Sequence, residues 1–277
     1  MPDPGRPASS VIPGDGCKLP RIDVSQAHQA RVYDYLIGGK DHFAADREVG
    51  EKILEANPDA GVGSRANRAF LGRAVRFLAA QAGIRQFLDI GTGIPTASNT
   101  HEVAQATAPE SRVVYVDNDP IVLAHARALL VSAPEGRTAY LDADARDPET
   151  ILARAAGTLD FTQPVAIMLL SILHALDDAD GLTSRLLDAV PPGSYLAISV
   201  PASDIQPEAQ AAWAARIAPD FPGATLALRS KTEVTRFFGG LELLEPGVVP
   251  VNLWRPGPGG PRPARALPNW GAVGRKP

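Results

Sequence analysis

Two kinds of hydrophobic pattern alternate along this chain. Short apolar runs lie at residues 87–90, 112–116, 138–141, 165–170 and 195–200. Between them lie longer stretches in which apolar residues recur every three or four positions, the spacing of one helix face. The run at 165–170 (VAIMLL) has no polar residue, as a parallel strand covered on both faces requires. The stretch at 64–82 places Phe70, Ala74, Phe77, Leu78 and Gln81 on one stripe, the mark of a helix lying on a core. Strand and helix thus alternate, which predicts an α/β sheet.

Start and stop signals sharpen the boundaries. Asp119-Pro120 and Asp147-Pro148 are paired N-cap and first-turn residues. Ser230 and Glu233 form a capping box for a helix running to 238. Further helices are expected at 25–37, 45–56, 96–106, 181–190 and 208–217, the first of them stopped by Gly38 and Gly39. A sixth strand is expected at 241–244, with a continuation over 248–254, and a last one at 270–276. Residues 1–24, rich in Pro, Gly and Ser, read as a mobile tail. The chain divides into that tail, a helical cap over 25–83 and an α/β domain over 84–277.

The first strand ends in a glycine turn, FLDIGTG, with Gly91, Thr92 and Gly93 ahead of a helix. Such a turn brings bare backbone against a ligand because no Cβ intervenes. It departs from the dinucleotide fingerprint in two ways. The third glycine of that pattern is replaced by Thr96, and Asp89 precedes the turn. A carboxylate there repels a pyrophosphate and attracts an ammonium group. The polar residues after the next strands are Asp117, Asn118 and Asp119, then Asp142 to Ala145, then Ser171 and His174. Asp117 can accept from both ribose hydroxyls of a nucleoside, or it can cap the next helix. The cap falls to Asp119, since Pro120 follows it.

Composition narrows the partners. A net charge of −4 gives no general attraction to nucleic acid. A single cysteine, Cys17, excludes an internal disulfide framework and a multi-cysteine zinc site. The five histidines are scattered, so no metal site is expected. No apolar run is long enough to span a bilayer, and the N-terminus has no signal-peptide core, which points to a cytoplasmic protein that needs no membrane.

The strand ending in D-x-G-x-G resembles motif I of the class I S-adenosylmethionine-dependent methyltransferases. The segments ARVYDYLIGGKDHFAADRE, NRAFL, FLDIGTG and YVDNDP together resemble the signature of an actinobacterial S-adenosyl methyltransferase family of unknown function. The resemblance implies a Rossmann-like class I methyltransferase fold. It would have a seven-stranded, mostly parallel sheet, an antiparallel last strand inserted between the fifth and sixth, and an N-terminal helical cap. It implies S-adenosylmethionine as cofactor and S-adenosylhomocysteine as product. Asp89, Gly91, Thr92, Gly93, Asp117, Asn118, Asp144, Ala145 and Ser171 would form the cofactor cradle, with Asp144 and Ala145 meeting the adenine edge.

The same resemblance suggests His174 as a base on the acceptor, or else as a helix-start residue packed beside the site. Tyr33, Tyr35, Gly39, Lys40 and Phe43 would belong to a lid over cofactor and acceptor, with Tyr33 also a catalytic candidate. The other reading of that polar segment is a helical cap closed by surface ion pairs. Trp213, Phe237, Phe238 and Trp254 are further candidates for an aromatic pocket wall. The acceptor expected is a small molecule. The N-P-P-Y-type tetrad of base-amine enzymes is absent after the fourth strand, where this chain has L-S-I-L. An NAD(P)-dependent oxidoreductase and a non-catalytic cofactor-binding protein are the alternatives. No oligomeric state follows from the sequence.

Overall fold

The continuous apolar runs become the middle of one sheet. The computed structural model describes residues 23–129, 132–221, 226–257 and 265–277. In it every residue of β1 (Gln86–Ile90) and β4 (Ala166–Leu170) is buried. β2 (Arg112–Asp117), β3 (Arg137–Asp142) and β5 (Tyr195–Pro201) join them in parallel. Three more strands follow: β6 (Glu242–Leu243), β7 (Val249–Pro250) and β8 (Asn269–Arg275). The order is β3-β2-β1-β4-β5-β8-β6, with β7 also paired to β8. β8 runs antiparallel and is inserted between β5 and β6, as expected.

The sheet has eight strands rather than seven. The expected continuation over 248–254 supplies the extra one. β6 and β7 pair with successive parts of the same edge of β8, Leu243 opposite Gly274 and Val249 opposite Gly271. A turn at Pro246 and Gly247, the latter at φ +79°, separates them. Pro250 has no N–H to extend the ladder, and the chain passes into a 3₁₀ turn at Val251–Leu253.

Side chains alternate between the two faces, the period-2 rule of a strand. Leu88, Ile90, Ile167 and Leu169 face one core with Ile151, Leu182 and Leu186. The latter three come from α6 (Pro148–Ala155) and α7 (Ala179–Asp188). Phe87, Ala166 and Met168 face the other core with Phe70, Ala74 and Leu78 of α3 (Ala60–Ala80). Trp254 closes that second core, edge-on to Phe70 at 5.3 Å between ring centres.

α1 (Gln29–Ile37) and α2 (Ala44–Ala56) pack on each other and on α3, and α2 also meets α8 (Pro207–Ile217). The remaining helices are α4 (Thr100–Thr107), α5 (Pro120–Leu129) and α9 (Lys231–Arg236). Asp147 and the Ser230–Glu233 box cap α6 and α9 as their sequences predict. Three expected starts move. α1 begins at Gln29 because His28 caps it. α3 begins one turn early, behind Asp59. α4 begins at Thr100, behind an Asn99–Glu102 capping box stronger than any signal at Thr96. The expected tail, residues 1–24, falls outside the described residues except for its last two. Among the described residues no helix is long and apolar enough to cross a membrane.

Candidate functional site

Ligands of open α/β sheets collect beyond the carboxyl ends of the strands, where strand order reverses. Here that point lies between β1 and β4. A cavity of about 660 Å³ opens there, a size usual for small-molecule sites. Its floor is built from strand ends: Asp89, Gly91, Thr92 and Gly93 from β1, Asp117 and Asn118 from β2, Asp144 and Ala145 from β3, and Ser171 from β4. All the cofactor residues expected from the sequence therefore line one crevice. Tyr33 of α1, Asn67 and Arg68 of α3, and Gln210 and Trp213 of α8 complete the wall.

The glycine turn is held from behind. The Gly91 and Thr92 amides both donate to the Val116 carbonyl, at 2.9 and 3.3 Å. The Gly93 amide donates to an Asp117 carboxylate oxygen at 2.8 Å. All three amides are spent inside the protein, so the turn offers no nest for a pyrophosphate. Gly91 has φ +71°, and a Cβ there would meet the Ile172 side chain at 2.8 Å. Gly91→Ala is therefore expected to cost about 1–3 kcal/mol of stability and to weaken ligand binding. Denaturant unfolding and ligand titration of the variant check both effects.

The three carboxylates at the strand ends stand in three electrostatic states. Asp89 is 4 % exposed and accepts from the Thr100 hydroxyl at 2.6 Å. Burial pushes its carboxyl up to about 6, against the pull of Thr100 and of the Arg68 charge. Asp117 is also buried, which raises its pKa, while the Asp119 and Gly93 amides hold it down. Its second oxygen accepts from the Asp119 amide at 3.0 Å. Asp144 is more open, and the Arg146 guanidinium grips it at 2.9 and 2.5 Å. That pairing lowers its pKa, with Asn118 assisting. Asp119 caps α5 through the Ile121 amide at 2.9 Å, and its other oxygen takes His28 at 2.8 Å.

The roof is tied to the floor through Asn67. Its side-chain amide donates to Tyr33 at 3.1 Å and to Ser171 at 2.9 Å. The Tyr33 hydroxyl in turn donates to the Ser64 carbonyl at 2.9 Å. Ser171 sits at φ +54° at the end of β4, a conformation that costs a non-glycine residue free energy. His174 lines the cavity from a 3₁₀ turn at Leu173–Ala175. Its Nδ1 has no protein partner. Burial, aided by the Arg229 charge, pushes its pKa down to about 4, so the ring is neutral at physiological pH.

Tyr35, Gly39, Lys40 and Phe43, expected in a lid, stand outside the cavity wall. Asp34 folds their segment back on itself. It accepts from the Asp41 amide at 2.9 Å and holds His42 at 3.0 Å. A Cβ on Gly39 would collide with that carboxylate, and one on Gly50 would collide with the Tyr35 ring. Phe43 packs on Ile94, Ile121 and Val122, and Lys40 is exposed. Asp46 accepts from the His28 and Phe43 amides at 2.9 and 2.8 Å. The polar signature thus builds a buried scaffold for α1 and α2. Of the other aromatic candidates, Trp213 reaches the cavity, whereas Phe237, Phe238 and Trp254 belong to the sheet cores. The sequence reading missed Asn67, Arg68 and Gln210.

The chain matches the S-adenosyl methyltransferase family over residues 16–277. Among solved structures it resembles a DUF574 family protein from Streptomyces avermitilis, with 50% identity and a TM-score of 0.88, covering 93% of this chain and 100% of that one. A candidate methyltransferase from Thermobifida fusca is 44% identical at a TM-score of 0.85, covering 93% and 97%. A more distant S-adenosylmethionine-dependent methyltransferase from Anabaena variabilis, 15% identical at a TM-score of 0.50 and covering 76% and 84%, shares the fold alone. No curated protein matches the chain. A doubly wound sheet, a glycine turn preceded by a carboxylate and a family match over residues 16–277 converge on one assignment: this chain belongs to the S-adenosyl methyltransferase family.

Proposed function

We propose that the cavity holds S-adenosylmethionine along the strand ends and a small-molecule acceptor beneath α1, α2 and α8. The carrying observation is the convergence of Asp89 and Asp117 on one crevice beside a turn with no free amides. Asp117 would take the ribose hydroxyls, and Asn118, Asp144 and Ala145 would border the adenine. Asp89 would meet the ammonium of the methionine portion, and Arg68 its carboxylate, since Arg68 lines the cavity and acts electrostatically on Asp89. The cofactor supplies an activated methyl group on a positively charged sulfur.

The work left to the protein is placement and exclusion of water. Asn67 holds Tyr33 and Ser171 together across the cavity, which fixes α1 over the β4 end. Tyr33 donates its hydroxyl hydrogen bond to the Ser64 carbonyl, and burial raises its pKa, so it acts as wall and anchor, not as a base. His174, neutral, offers a hydrogen bond to the acceptor. A small acceptor fits the enclosure and the absence of any general pull on nucleic acid from a net charge of −4.

Calorimetry tests the cofactor reading. S-adenosylmethionine and S-adenosylhomocysteine should each bind at one site per chain, and NAD should give no heat. Binding of NAD at comparable affinity would favour the oxidoreductase alternative.

A further inference from the structure

The part of the cavity away from the strand ends has its own chemistry. Val32 of α1, Ile53 of α2 and Ile217 of α8 form a small buried cluster that faces it, joined by Leu36 and Trp213. The charged residues that the start of α3 and the turn after α8 bring to this wall are Asp59 and Asp220, both already paired. Asp220 takes Lys52 at 2.9 Å, and Asp59 takes Arg265. Arg216 and Glu55 make a second link between α8 and α2 at 2.6 Å. The lining cations, Arg68 and Arg146, belong to the strand-end half. An anionic acceptor laid against the Val32–Ile53–Ile217 wall would therefore leave water for an apolar surface with acidic neighbours, a cost of several kcal/mol; the cation felt at His174, Arg229, is not among the residues lining the cavity.

A second observation concerns orphaned polar groups. The side chains of Gln210 and Trp213, three residues apart on one face of α8, both line the cavity. Gln210 Nε2, Trp213 Nε1 and His174 Nδ1 are sealed from solvent and have no partner among the described residues. Gln210 is 2 % exposed. Buried donors without partners cost about 1–3 kcal/mol each, and each calls for a partner that the protein does not supply. The chamber thus pairs apolar walls with unmet donors, and it asks for an apolar body carrying oxygen.

The chamber also lacks a strong base. Tyr33 donates to Ser64, Asp59 and Asp220 are held in ion pairs, and His174 is hard to protonate. A simple alcohol would keep its proton here. A phenolic or enolic hydroxyl is far more acidic than an alcohol, so it needs less help to lose its proton as the new carbon–oxygen bond forms.

Resting on the cofactor reading above, we infer that the methyl acceptor is an uncharged, ring-bearing hydrophobic molecule methylated at a phenolic or enolic hydroxyl. Its ring lies against Trp213 and the Val32–Ile53–Ile217 cluster, with its oxygen near His174. The oxygen lone pair forms the new bond to the methyl carbon. The carbon–sulfur pair stays on sulfur, which becomes a neutral thioether. The hydroxyl proton leaves past His174 to solvent, so each turnover yields one methyl ether, one S-adenosylhomocysteine and one proton.

The test uses the full chain saturated with S-adenosylhomocysteine, titrated with naphthol, phenanthrol and naphthalenesulfonate in a calorimeter. The two phenols are expected to bind, and the sulfonate at least about tenfold more weakly, the cost of one unpaired charge against apolar walls. Trp213→Ala should weaken phenol binding about tenfold or more while S-adenosylhomocysteine affinity and the thermal midpoint hold. Trp213→Phe should restore most of it. Three results would overturn the proposal: equal binding of the sulfonate, phenol binding indifferent to Trp213→Ala, or no phenol binding to protein that holds S-adenosylhomocysteine normally. If S-adenosylhomocysteine itself fails to bind, the cofactor reading falls, and this proposal with it.

Discussion

Asp117→Ala should weaken S-adenosylhomocysteine binding by about two to three orders of magnitude. Hydrogen bonds to a charged group are worth about 1.5–3 kcal/mol each, and on the cofactor reading proposed above this carboxylate would accept from two ribose hydroxyls. The substitution also unties the turn, because Asp117 holds the Gly93 amide at 2.8 Å and the Asp119 amide at 3.0 Å. Asp117→Asn should recover only part of the loss, since its NH₂ would confront one of those two amide donors. Calorimetry at neutral pH measures the affinity, and the thermal midpoint without ligand separates lost contacts from lost structure. An affinity within threefold of the parent protein would remove Asp117 from the site.

The second large effect links stability to binding. Asp89 titrates near 6 in the folded chain against an ordinary 3.8. The folded state therefore holds this proton more tightly than the unfolded state. Its contribution to stability is full below pH 4, is lost as pH rises toward 6, and stays lost above. At 1.36 kcal/mol per pKa unit the cost at pH 7 is about 3 kcal/mol. Asp89→Asn keeps an acceptor for the Thr100 hydroxyl and has nothing to ionise. It should raise the ligand-free thermal midpoint at pH 7, by roughly 2–4 °C per kcal/mol, and flatten its dependence on pH between 4 and 7.

The same variant should bind the cofactor product more weakly, having lost the charge that meets the ammonium group. In the parent protein, affinity should climb by about tenfold per pH unit below pH 6 and level off above, as Asp89 gives up its proton. A parent midpoint that does not change between pH 4 and 7, or an Asn variant that binds as well as Asp, would refute this account. The site would then owe nothing to a carboxylate kept out of water.

Much of this was legible in the chain. A strand buried on both faces must be apolar throughout, so 165–170 announced the centre of the sheet. Asp-Pro pairs and the Ser230–Glu233 box have local causes, and local causes survive folding. Residues just past strand ends converge because parallel strands share a direction, which is why Asp89, Asp117 and Asp144 could be gathered into one cavity before any coordinates. Asn67 and Arg68 could not. They lie mid-helix, where the 3.6-residue rhythm tells buried from exposed faces but not which buried face meets a hollow. Gln210, beside the expected Trp213, sits on a helix whose position depends on α2, far away in sequence, and its own polar side chain gave no sign of facing a cavity. The segment at 34–43 left two readings open, a lid or a helical cap. In the structure Asp34 and Asp46 use its polar groups to stitch the chain to itself.

Asn67 bridges Tyr33 and Ser171, and this has a mechanical side. One amide group grips both the helix that covers the acceptor and the loop that abuts the donor. Any displacement of α1 by an entering molecule is transmitted to the β4 end through two short contacts. Roof and floor of the cavity thus share one side chain, and on the cofactor reading proposed above the two substrates' compartments would be mechanically linked through it.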